Sequence, residues 1–161
     1  MMRAFDLVAL DAEDIPFLIV LAKARAIEPL YEESYLREIW EAREAIPYGL
    51  RVRHILIADP ESMRLYRFDD DDVAALIQSW PTVEILSFYD PGLRERLGRP
   101  YGIASYDLAW KVDSWFVDLA FRRKSPNPPG SEGWLAVGLL DKFAKGWTRR
   151  EVPLGFVDSV R

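Results

Sequence analysis

Residues Arg67 to Trp80 read RFDDDDVAALIQSW, four consecutive aspartates ahead of an apolar run. The fold of the C-terminal half turns on whether the acids form a ligand cluster or begin a helix. A calcium loop needs oxygen ligands at its first, third and fifth positions, Gly at the sixth and a bidentate Glu at the twelfth. Counted from Asp69, those last three places hold Val73, Ala74 and Trp80, and counting from Asp70 fits no better. A magnesium site built from two of these carboxylates and distant ligands is the lesser alternative. The simpler reading makes Asp69 or Asp70 a helix cap, with the remainder of Asp69, Asp70, Asp71 and Asp72 on the positive helix N-terminus. VAALIQSW is then a helix that stops at Pro81.

The segments before it give two helices and a hairpin. AFDLVAL, Ala4 to Leu10, reads as a short strand, and DAEDIPFLIVLAKARAI, Asp11 to Ile27, as a helix with acids and Pro16 in its first turn. YEESYLREIWEAREAI, Tyr31 to Ile46, is a helix with Tyr31, Tyr35, Leu36, Ile39, Trp40 and Ala42 near one face, and Glu33 is spaced to pair with Arg37. Alternation in LRVRHILIA and MRLYRF about the turn ADPES predicts a β-hairpin.

Beyond Pro81, TVEILSFY reads as a third strand and LRERLG as one or two helical turns. Ile103 to Lys124 carries the strongest helical stripe, Leu108, Val112, Trp115, Phe116 and Leu119, with Asp107–Lys111 and Asp118–Arg122 spaced as ion pairs. SPNPPGSEG is a loop. Glu132 to Trp147 reads as one last helix stopped at Gly146, and the tail from Thr148 holds at most a short strand. The expected fold is α+β and mainly helical, with helices around a small antiparallel hairpin or sheet and a long C-terminal helical pair. It forms one domain, in which 1–68 supply helices and hairpin, 69–147 a helical part and 148–161 a tail.

Composition narrows the chemistry. The 161 residues are 50% hydrophobic, enough to bury a core without staples. There is no cysteine, which removes disulfides, thiolate zinc sites and cysteine nucleophiles. A net charge of −5 argues against a general nucleic-acid binder. One Asn and one Gln beside 16 Arg suit a thermophile, and a GC-rich genome produces the same arginine bias. The longest apolar run, FLIVLA, is too short to span a bilayer and no signal peptide precedes it, so a soluble intracellular protein is expected.

His54, the only histidine, reads as a half-buried strand residue. The basic groups Arg51/Arg53, Arg94/Arg96/Arg99, Arg122/Arg123/Lys124 and Arg149/Arg150 read as solvated or protein-contact surface. Trp110 and Trp115 stand about 140° apart on their helix, so one faces the core while the other serves, if exposed, as an interface anchor. No phosphate loop, dinucleotide fingerprint, nucleophile elbow or zinc-protease motif occurs, and no catalytic residue, metal or cofactor is assigned.

The order of C-terminal features resembles the head–tail connector and head-completion (neck adaptor) proteins of tailed bacteriophages, the Mu-like group in particular. The matching strings are Asp70 to Ile77, Ala120 to Arg123, Ala144 to Gly146 and Val152 to Gly155, within residues 69–155; residues 1–68 have no counterpart. The resemblance implies a structural ring subunit in virion assembly, located in the virion neck, contacting portal, tail or neighbouring neck proteins. Its acidic lumen would let DNA pass unbound, with no membrane contact and no enzyme activity. It makes the loop Ser125 to Gly133 and the tail Thr148 to Arg161 docking segments. The candidate interface is therefore Trp110, Trp115, Arg122, Arg123, Pro128, Pro129, Trp147, Arg149, Arg150 and Phe156. The alternative is a small cytoplasmic regulator or inhibitor that binds a larger enzyme through aromatic and acidic surface.

Overall fold

In the computed structural model, which describes residues 2–154, the run after the four aspartates is a β-strand. In chain order the elements are β1 (Ala4–Leu10), β2 (Pro16–Ala22), α1 (Pro29–Ala42), β3 (His54–Ala58), β4 (Ser62–Phe68), β5 (Ala74–Pro81), α2 (Thr82–Leu86), α3 (Leu93–Leu97), α4 (Ser105–Phe121), α5 (Ser131–Ala136), α6 (Leu140–Phe143) and β6 (Trp147–Pro153). The strands form one six-stranded sheet in the order β5-β4-β3-β2-β1-β6. Only β2 and β3 run parallel, joined by the α1 crossover; every other neighbouring pair is antiparallel.

This overturns the mainly helical expectation: the sheet dominates, and only α1 and α4 are long helices. The aspartates explain the error. Asp69 Oδ1 accepts hydrogen bonds from the amides of Asp71 (2.8 Å) and Val73 (3.0 Å), and Asp72 sits at φ 60°. The acids therefore close a turn between β4 and β5 and cap no helix. The same geometry recurs at Asp11, which accepts from Glu13 and Ile15 while Asp14 sits at φ 64°. It turns the expected helix over Asp11 to Ile27 into a turn followed by β2, buried at all seven positions as a central strand must be.

Two further expectations change. TVEILSFY opens the short α2, because Thr82 leaves the strand to donate its hydroxyl to the Asp59 carbonyl at 2.6 Å. The last helix divides into α5 and α6 at Gly138, φ 78°, so no long helical pair forms. The predicted β3–β4 hairpin, α1 and the core stripe of α4 are present. The sheet also joins the chain's ends, since β6 pairs with β1 from Ala4↔Pro153 to Leu10↔Trp147 and so runs across the divisions expected at 68 and 147.

Each face of the sheet buries a core. On one side Ile19, Ile55 and Ile57 meet Leu36, Ile39 and Trp40 of α1, and Trp40 stacks on Phe68 at 4.1 Å. On the other, Leu18, Val20, Leu56, Met63 and Leu65 meet α4 and the short helices. There Trp80, Trp115 and Trp134 pack with centroids 4.5 to 5.5 Å apart.

The buried Asp59 carboxylate accepts from the amides of Glu61, Ser62 and Ile27 and from Arg64. In urea titrations Asp59→Ala is expected to cost ~3 to 5 kcal/mol, because it strands three amides and leaves the partly buried Arg64 with Glu32 as its one carboxylate partner. Asp69→Ala should cost ~1 kcal/mol, and Asp71→Ala stay within ~0.5 kcal/mol of zero. Equal costs at Asp69 and Asp71 would refute the turn assignment.

His54 pairs with Leu18 and Arg67 in the sheet, and burial, aided by Arg67, lowers its pKa to about 4. Below pH 6.5 the unfolded chain binds this proton first, so the imidazole's contribution to stability declines as pH falls toward 4. Its NMR titration should show a midpoint near 4.

An outward aromatic face on α4 and β6

α4 carries two apolar stripes. Leu108, Val112, Trp115, Phe116 and Leu119 are buried against the sheet. Tyr106, Trp110, Val117 and Phe121, again at helical spacing, form a second stripe directed away from it. Tyr106, Trp110 and Phe121 are each about half exposed, the ring edge of Tyr106 meeting Trp110 at 5.8 Å.

β6 completes the face. Its alternation sends Arg150 to the α4 side, where the guanidinium lies 5.3 Å from the Trp110 ring centroid and 3.6 Å from Asp113. Thr148 donates its hydroxyl to the same carboxylate. Trp147, 48% exposed, donates its indole N–H to Asp14 at 2.5 Å. Between these residues and Phe143 opens an apolar crevice of about 210 Å³, bounded by Val117, Phe121 and Trp147. Gly146 brings the chain into β6 so tightly that a Cβ would stand 2.2 Å from the Leu10 carbonyl oxygen. A helix stop was predicted at this glycine, and the close approach shows why glycine is needed there.

The predicted interface residues thus divide. Trp110 and Arg150 come together, Trp147 stands apart from them at the crevice with Phe121 and Phe143, and Arg123 lies on the flank beside Val117 and Ser114. Trp115 is fully buried and donates to the Pro129 carbonyl, so it is a core residue and no anchor. Pro128 is buried and Pro129 half-buried, which makes the loop from Ser125 part of the core's cover. Arg122 takes the left-handed cap of α4 and donates to the Pro126 carbonyl in place of the expected pair with Asp118. Asp118 instead accepts from the Tyr89 hydroxyl and the Lys124 amide; burial, reinforced by Asp118, raises the Tyr89 pKa. Alternation turns Arg149 to the opposite face of the sheet. Phe156 lies outside the described residues. Tyr106, Val117 and Phe121 were missed, although their spacing along α4 was the signal that could have found them.

A hollow of about 490 Å³ lies near the carboxyl ends of β2 and β3. Its cations already have partners: Arg25 lies 4.6 Å from the Tyr101 ring and Arg99 pairs with Glu95. Among the described residues no three His, Cys, Asp or Glu side chains converge as metal ligands, and no helix is long and apolar enough to cross a membrane.

Acrylamide should quench Trp110 and Trp147 and leave the four remaining tryptophans protected. Replacing Trp110 and Trp147 with Phe should remove most of the quenchable emission and change stability by ~0.5 kcal/mol or less. Substantial residual quenching would contradict the burial of Trp40, Trp80, Trp115 and Trp134.

Comparison with protein-family models, curated proteins and solved structures returns no match for this chain.

Proposed function

We propose that the chain is a non-catalytic binding protein that holds a protein partner on the α4–β6 face. The observation that carries this reading is the outward stripe of α4, three exposed aromatic side chains on a helix whose other stripe already fills the core. Tryptophan, tyrosine and arginine dominate the energetics of protein interfaces, and an arginine held over an indole is well ordered before a partner arrives. The adjoining crevice offers an apolar pocket for one inserted side chain.

The reading favours a regulator or inhibitor engaging one partner, and stops short of a phage-neck ring. Of the strings behind that resemblance, Asp70 to Ile77 lies in a turn and a strand, and Val152 begins the match inside β6. Neither sits in the helix-rich setting that a connector implies.

A photo-crosslinking residue at Ser114, on the face, should capture the partner; one at Glu44, just beyond α1, should not. Trp110→Ala is expected to weaken the captured complex by ~2 kcal/mol or more, and Arg150→Glu by a comparable amount. Capture from Glu44 alone, or wild-type affinity in both variants, would refute the assignment. A discrete ring mass in solution would favour the connector.

A further inference from the structure

The two outer strands of the sheet are unlike. β6 presents Arg149, Arg150 and Glu151 and ends at Pro153, the charges and missing donor that keep another strand away. From Val73 to Pro81 the β5 edge carries no charge, and Val73 and Leu76 are 57% and 55% exposed. β4 covers one side of β5, and no described strand pairs with the other. Gln78 opposes Leu65 and Leu76 opposes Tyr66, so Ile77 is the extra residue of a bulge. A bulge interrupts a ladder, and the Val73 amide and carbonyl are held by Asp69 in the turn, which leaves Ala74 to Leu76 as the open stretch.

This stretch lies beside exposed carboxylates. A groove of about 390 Å³ runs between α1 and β5, with Leu36, Tyr66 and Phe68 in its floor. Glu33 and Asp72 line it against a single cation, Arg37. Asp72 uses one oxygen to accept the Trp40 indole N–H, and Asp70 lies 3.4 Å from Arg53 while 99% exposed. Asp71 and Glu33 are exposed and form no ion pair among the described residues.

We propose that the β5 edge docks an extended segment of a partner protein, added to the sheet as a seventh strand. Backbone hydrogen bonds to Ala74–Leu76 would supply the pairing, and alternate apolar side chains would lie beside Ala74 and Leu76. Lysine or arginine on the segment would meet Glu33, Asp71 and Asp72. Charge selects this occupant over a second copy: each chain carries a net −5 and brings four aspartates to the junction, with no cation on β5 to receive them. The edge is distinct from the α4–β6 face, so either assignment can fail while the other stands.

The test is to select peptides of about eight residues from a randomised library on the full chain, then measure amide exchange with the best binder. Selected sequences should alternate apolar residues and be enriched in lysine or arginine. The bound peptide should slow exchange along Ala74–Leu76 by about tenfold or more. Leu76→Lys, at an exposed site, should weaken binding about tenfold while leaving the fold intact. A library without binders, binders without basic residues, or unchanged β5 exchange would overturn the proposal. So would a concentration-dependent dimer abolished by Leu76→Lys, which would give the edge to a second copy.

Discussion

Asp59 ties together four parts of the chain through its carboxylate and its backbone carbonyl. Oδ1 accepts from the Glu61 and Ser62 amides and closes the β3–β4 turn; Oδ2 accepts from the Ile27 amide, just before α1, and from Arg64 on β4. Its backbone carbonyl receives the Thr82 hydroxyl, which ends β5 and starts α2. A carboxylate only 2% exposed is tolerable because four donors replace its lost water. Arg64 extends the network to Glu32 on α1 at 2.6 Å, and the Tyr66 hydroxyl reaches the same oxygen at 2.5 Å. The crossover helix is therefore placed over the parallel pair by polar contacts at one end and by Trp40 on Phe68 at the other.

Asp11, Asp59 and Asp69 each accept amide protons at the start of a hairpin turn, and two of those turns have the same shape. DAEDI and DDDDV both place Asp first, to accept the amides two and four residues on, and Asp fourth, at positive φ. A short polar side chain suits both places, the first as acceptor and the fourth because it tolerates the left-handed region. These are also the residue types that begin helices. An acid cluster before an apolar run is thus ambiguous from composition. What resolves it here is the partner strand on the other side of the turn, a non-local fact.

The same reasoning separates what was legible from what was not. α1 and α4 were readable because each repeats its apolar stripe over several turns, and β3–β4 because alternation flanks an evident turn. β2 was not, since seven buried positions leave no period to read and Ala22 to Ile27 imitate a helix. β6 alternates weakly, and its place beside β1 depends on a contact across most of the chain. At the aromatic face Trp110, Trp147 and Arg150 were legible as residue types, whereas the cation–π contact needs the β6 register. Trp115 illustrates the limit: only packing tells a core tryptophan from an interface one five residues away.

Aromatic residues serve opposite ends within the same helix. Trp115 and Phe116 face Trp134 and Phe143 in a core where each indole or phenyl meets another at 4.9 to 5.9 Å. Gly130 and Gly133 allow the loop to close over it, since a Cβ at either would stand 3.0 Å or less from the Trp80 or Trp115 rings. The outer stripe satisfies no such constraint. Tyr106, Trp110 and Phe121 lie outside the core clusters, so removing one would leave the core contacts in place. Side chains of this size left half exposed along one helix face are what a binding surface requires and a stable fold does not. The asymmetry between these two stripes, on one helix and within one sequence, is the strongest physical reason to assign contact with a partner to α4.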